Sequence, residues 1–168
     1  MEHLWSPWRM PYLRGEGPEI EGCLFCVSAE MDDAEAHIVR RSDLAYIILN
    51  RYPYNSGHLM IVPNAHKASP EELEPQALAE MTRLMQLSMR VLREAYDPEG
   101  FNVGMNVGAA AGAGVADHVH LHIVPRWSGD TNYMPVLAET RVIPEWIDRT
   151  YERLRPLFDQ IDASPQAE

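Results

Sequence analysis

Residues Asp117 to Trp127 read DHVHLHIVPRW, so His118, His120 and His122 alternate with Val119, Leu121 and Ile123 ahead of Pro125. Successive side chains of an extended strand point to opposite faces, which places three imidazoles on one face and three aliphatic groups on the other. An ordinary solvent-facing strand would use threonine, lysine or glutamate, without crowding neighbours that can each become charged. The row therefore points to chemistry. A neutral imidazole is a nucleophile when its second ring nitrogen keeps its proton on a fixed acceptor, and adjacent imidazoles can divide attack from proton donation.

Two further stretches carry chemically able groups. Asn106 to Gly114, NVGAAAGAG, precedes the histidine row. Its small side chains let backbone N–H groups approach a ligand, so Asn106, Gly112, Ala113 and Gly114 are candidate phosphate contacts. A mobile hairpin loop would have the same composition, and the adjacent histidines favour the cradle. Cys23 and Cys26, the only cysteines, form Cys-x-x-Cys. Three readings stand: a redox pair, two small buried residues, or half of a metal site, which would need two more ligands, with histidine the obvious supply.

These groups need a scaffold. Ala36–Arg40, Leu44–Asn50 and His58–Pro63 read as three strands of a meander, with Asn50 by default a turn residue at a strand end. Ser69-Pro70-Glu71-Glu72 has the pattern of a capping box, which Pro75 should interrupt. A long helix is expected from about Gln76 to Tyr96 on the spacing of Leu78, Met81, Met85, Leu92 and Ala95, ended by Asp97-Pro98-Glu99-Gly100. Phe101 to Val107 is the fourth strand and the histidine row the fifth. Pro144 opens a second helix through Trp146, Ile147, Tyr151 and Leu154, which Pro156 bends or ends. Leu4 to Leu13, with two tryptophans and a tyrosine, reads as an arm docked on a surface. The order predicts an α+β domain with helices against a five-stranded antiparallel sheet.

At 168 residues with 46% hydrophobic content, one domain with a sizeable core is expected. A net charge of −11 argues against general nucleic-acid binding but not against a small anion held by a few converging donors. No apolar run approaches membrane-spanning length and MEHLWSPWRM lacks signal-peptide order, so a cytoplasmic protein without a membrane partner is expected.

The seven positions His118 to Val124 fit His-φ-His-φ-His-φ-φ, φ being aliphatic, and the chain resembles the histidine-triad (HIT) family of nucleotidyl hydrolases and transferases over nearly its whole length. The resemblance implies a HIT fold and one domain over 1–168. An N-terminal arm would take 1–35, the core 36–126, and a C-terminal extension and helix 127–168. It implies His120 as the nucleophile that carries the nucleotidyl group, with the His118 carbonyl holding its N–H, and His122 as a contact to the transferring phosphate. Asn50, in an Asn-Arg-x-Pro segment, would contact the ribose or its surroundings, and His58 would be mainly structural. By similarity to zinc-bearing members, structural Zn²⁺ would sit among Cys23, Cys26, His66 and His118. A homodimer is also implied.

Many hydrolases of the family carry Gly-Gln ahead of the triad. Here Ala113 or Gly114 takes that place, one residue further from His118. The run through Pro125, Arg126, Trp127, Gly129 and Asp130 resembles the bacterial branch that cleaves diadenosine tetraphosphate with inorganic phosphate. Phosphorolysis through a nucleotidyl-histidine is therefore the expected reaction. Hydrolysis of such dinucleotides, nucleoside phosphoramidates or adenylated amines is the alternative, and a noncatalytic nucleotide-binding or zinc-stabilised interaction module is the reading of another class.

Overall fold

The computed structural model describes residues 21–130 and 145–163. The aromatic arm, Pro144 and the ends of the chain lie outside them. Two short helices, α1 (Leu24–Glu30) and α2 (Asp33–Ala36), precede strands β1 (Ile38–Arg41), β2 (Ala45–Leu49) and β3 (Leu59–Pro63). The long helix α3 (Pro75–Tyr96), strands β4 (Gly100–Met105) and β5 (Leu121–Arg126), and helix α4 (Ile147–Asp162) follow. The sheet is antiparallel in the order β1-β2-β3-β5-β4. Thus α+β with a five-stranded antiparallel sheet is what the chain adopts. The meander ends at β3, α3 carries the chain to the far edge, and β5 returns between β3 and β4.

Each strand's alternation feeds two cores. Val39, Ile47, Leu49, Leu59, Ile61, Val119, Leu121 and Ile123 pack with Met81, Leu84, Leu87 and Leu92 of α3 and with Leu154 and Phe158 of α4. On the opposite face Ile38, Tyr46, Ile48, Met60 and Val62 enclose Phe25 of α1. The histidines share this second face. Tyr46 Oη donates to the Phe25 carbonyl (2.7 Å), so α1 is held to β2 by a buried hydrogen bond as well as by apolar contact.

Several local expectations are corrected. Ala36 ends α2 rather than opening the first strand, because the Asp32 carboxylate accepts from the Ala34 N–H (2.9 Å) and caps a helix over Asp33–Ala36. Ser69 bonds Glu71 instead of completing a capping box, and Pro70–Glu72 is a single 3₁₀ turn. Glu74 is held extended ahead of Pro75, which then occupies the first turn of α3. Pro156 does not end α4. It is exposed, so the carbonyl freed at Glu152 faces water, while Leu154 and Phe158 on either side are fully buried and anchor the helix. The β5 ladder starts at Leu121, not at His118: β4 ends at Met105 opposite that residue, and the pairing with β3 stops there at Ile61 while β3 goes on with β2 to Pro63. Val119 N–H donates instead to the Lys67 carbonyl (2.7 Å), and the alternation of faces is kept.

One glycine positions the site directly. Gly57, at φ +77°, turns the chain into His58, and a Cβ there would meet Leu92 and Tyr96 at 3.0 and 3.1 Å.

Candidate functional site: a histidine relay beside a Cys2His2 cluster

The ring nitrogens of four histidines are sorted by the groups they meet. His118 Nε2 donates to the Pro63 carbonyl (2.8 Å), which turns Nδ1 toward Cys23 and Cys26. The His118 carbonyl accepts from His120 Nδ1 (2.9 Å). A carbonyl can only accept, so neutral His120 carries its proton on Nδ1 and keeps the lone pair on Nε2. Burial pushes both His118 and His120 below the ordinary imidazole value, opposed in each case by the hydrogen bond to the carbonyl. His120 is therefore neutral at pH 7, as a nucleophile must be.

His122 is set from the other direction. The Tyr54 backbone N–H donates to His58 Nδ1 (3.1 Å), which forces the His58 proton onto Nε2. His58 Nε2 in turn donates to His122 Nδ1 (2.9 Å). Neutral His122 thus carries its proton on Nε2. The two rings lie edge to face with centroids 4.7 Å apart, one offering a lone pair and its neighbour an N–H. Phe25 packs against His120 at 4.7 Å and His118 at 5.5 Å, so α1 supports the backs of both rings.

Ligand atoms of Cys23, Cys26, His66 and His118 all lie within 4.8 Å of one another. Sulfur and nitrogen bound tetrahedrally at ~2.3 and ~2.0–2.1 Å stand roughly 3.6 Å apart. The observed separations are 3.4 Å for Cys23–His118 and Cys26–His66, and 3.7 Å for Cys26–His118. Cys23 caps α1 and Cys26 is its third residue, so both thiols face one way. Burial and the adjacent Cys23 raise the Cys26 thiol, so two thiolates side by side are unfavourable until a cation joins them. The residues fit a four-coordinate metal, and the Pro63 carbonyl that accepts from His118 Nε2 would orient that imidazole toward it.

A cavity of about 360 Å³ opens on the histidine face of β4 and β5, with His122, Asn106 and Tyr54 at one end. Asn106 is thus placed beside the row. Asn50 stands behind it: its Oδ1 accepts from Tyr52 N–H (2.8 Å) and its amide is 3.4 Å from His58. In the glycine-rich loop, Ala109–Ala111 forms a 3₁₀ turn, and the N–H groups of Ala111, Gly112 and Ala113 donate inward to Gly108 and Ala109. Gly112 is at φ +84°, and among the described residues nothing lies within 4 Å of where a Cβ would be.

With this geometry in place, comparison with known proteins settles the family. The HIT domain model matches residues 32–129. The chain belongs to the HIT family. It is 38% identical over 158 residues to the AP-4-A phosphorylase of Mycobacterium tuberculosis, covering 89% of this chain and 80% of that one. Adenylylsulfatase HINT3 of Arabidopsis thaliana is 32% identical over 108 residues, 64% of this chain and 54% of the relative. A Zn-bound histidine triad family protein from Mycobacterium smegmatis superposes with a TM-score of 0.67 at 29% identity, over 84% of this chain and 96% of the other.

In this HIT protein, sequence reasoning assigned His58 a mainly structural place and overlooked its bond to His122. That bond depends on register: His58, just ahead of β3, falls on the same face as His122 because Met60 pairs with it. The tautomers are directly measurable. Long-range ¹H–¹⁵N correlation spectra at pH 7.5 should show His120 protonated at Nδ1 and His58 and His122 at Nε2. In His58→Phe, which lacks the donor, the His122 ring should lose its single tautomer while His120 keeps its own.

Proposed function

We propose that the protein transfers a nucleotidyl group from a dinucleoside polyphosphate such as diadenosine tetraphosphate to inorganic phosphate, by way of a covalent adduct on His120. The carrying observation is the opposed protonation of neighbouring rings, with a lone pair on His120 Nε2 and a proton on His122 Nε2, at a cavity that also holds Asn106. His120 Nε2 attacks the α-phosphorus and the bond to the bridging oxygen breaks. The His122 N–H stabilises charge on the phosphoryl oxygens as it develops. Phosphate then attacks the same phosphorus, the P–N bond breaks, and the products are ADP and ATP. Identity to the mycobacterial AP-4-A phosphorylase supports the substrate and the acceptor. The small residues Gly112, Ala113 and Gly114 support the acceptor too, leaving space for an anion larger than water and no glutamine to orient water. Asn50 contributes through His58, on the ribose side of the site.

The proposed resident metal is structural Zn²⁺ on Cys23, Cys26, His66 and His118. The Zn-bound Mycobacterium smegmatis structure and the spacing of the four groups support it. Four protein ligands leave no open position, so the ion would pin α1 and the segment after β3 to the histidine row and take no part in transfer. A cytoplasmic setting would keep both thiols reduced. No helix among the described residues is long and apolar enough to cross a membrane. The chain reads as one HIT domain, with 1–35 as arm and 127–168 as extension. A homodimer is proposed from the family resemblance and from β4, which stands at the sheet edge with Val103 exposed.

Product analysis tests the reaction. With diadenosine tetraphosphate and phosphate, ADP and ATP should form in equal amounts, and without phosphate turnover should fall steeply. AMP with ATP at one rate in both conditions would mean that water is the acceptor. His120→Gly should lower kcat by at least about 10³-fold.

The metal is tested separately. Protein purified without added metal should contain one zinc per chain by elemental analysis. Structural zinc sites have apparent binding free energies of about 10–16 kcal/mol, comparable with the ~5–15 kcal/mol stability of a whole domain. Even the loss of ~4 kcal/mol on chelation should lower Tm by about 8–16 °C. Metal-free protein with unchanged Tm would contradict the assignment.

A further inference from the structure

Past His122 the histidine face of the sheet continues as a groove that the attack on phosphorus does not use. His122, Val124 and Arg126 stand at alternate positions of β5, opposite Gly104, Asn102 and Gly100 of β4. At ~3.3–3.4 Å per residue, Arg126 is about 13 Å along the strand from His122. The same cavity that begins at His122 and Asn106 ends at Arg126, Asn102 and Asn55. A Cβ on Gly104, midway along, would meet nothing within 4 Å among the described residues.

The far end is built with care. Arg126 Nε and one terminal nitrogen donate to the two Asp130 oxygens (2.6 and 2.8 Å), and its other terminal nitrogen donates to Asn102 Oδ1 (2.6 Å). Asp130 also accepts from the Asn55 amide (2.8 Å) and from the Trp127 N–H (3.2 Å). These bonds use three of the five guanidinium N–H donors. A staple for the turn after β5 would explain the Arg126–Asp130 pair by itself. It does not explain why Asn102 from β4 and Asn55 from the loop before β3 converge on the same pair at the end of a cavity, with Arg126 rigid and partly exposed.

Chemistry assigns the direction. In phosphoryl transfer the attacking and leaving atoms lie roughly in line across phosphorus. His120 approaches from the side of Phe25, whereas the cavity starts at His122 and runs away from it. We propose that this groove is the leaving-group site and takes a nucleoside triphosphate, with Arg126 and Asn102 holding the polyphosphate. The inference rests on nucleotidyl transfer at His120 and deepens it. As the His120 Nε2–P bond forms and the P–O bond breaks, the electron pair stays on the leaving triphosphate oxygen. The triphosphate then leaves, and phosphate enters in line from the same side, breaks the P–N bond and takes the adenylyl group.

The test compares two substrates with the same adenylyl group: diadenosine tetraphosphate, which expels ATP, and adenosine 5′-phosphoramidate, which expels ammonia. Asn102 is exposed on an edge strand, so Asn102→Asp should fold normally while placing a carboxylate against the polyphosphate. Its ratio of kcat/KM for the tetraphosphate over the phosphoramidate should fall at least tenfold, and product inhibition by ATP should weaken at least tenfold. Arg126→Gln should shift the ratio the same way. An unchanged ratio in Asn102→Asp, or equal losses on both substrates, would overturn the leaving-group site while leaving transfer at His120 standing. A wild-type protein that cleaves neither substrate would overturn the transfer reading and this site with it.

Discussion

One residue, His118, holds the molecule's two working parts in register. Its ring is fixed by the Pro63 carbonyl and presents Nδ1 to the thiols of α1, while its own carbonyl fixes the proton of His120. The metal-ligating geometry and the tautomer of the candidate nucleophile therefore both depend on how this one residue is placed. A small displacement of this residue would separate the thiol cluster and free the His120 ring to rotate. Burial adds to the constraint, because His118 and His120 are both almost wholly removed from solvent in a close-packed face.

The sheet supplies the rest through its two faces. The face toward α3 and α4 is a conventional apolar core, and it leaves the opposite face to carry polar groups without loss of cohesion. There the residue just ahead of β3 is His58, β5 contributes His122 and β4 contributes Gly104 and Asn102, so segments from three strands form one continuous surface. Rigid strands suit this purpose, since transfer between two partners needs atoms placed within a few tenths of an ångström.

Much of this was legible before the structure. The period of two in DHVHLHIV survives even where the ladder does not, because it reflects which side chains are buried rather than which backbones are paired. The five strands, their meander and the long helix followed from alternation and from Asp97-Pro98, and the Cys2His2 set followed from family resemblance. Contacts that depend on cross-strand register were not legible. His58 could be joined to His122 only once Met60 was known to lie opposite it, and Arg126, Asn102 and Asn55 come from three separate segments. The short helices α1 and α2 were hidden by their length, too few residues to show a helical period. Pro156 misled because its effect is decided by which side of the helix faces water.

The central claim is that His120 becomes covalently nucleotidylated. Rapid mixing with diadenosine tetraphosphate in the absence of phosphate, followed by alkaline quench and mass spectrometry of the peptides, measures this most directly. The account predicts one AMP unit per chain, acid-labile, located on His120, and discharged as ADP when phosphate is added before the quench. Products formed in a single turnover with no adduct on the protein, or an adduct on a residue other than His120, would contradict it.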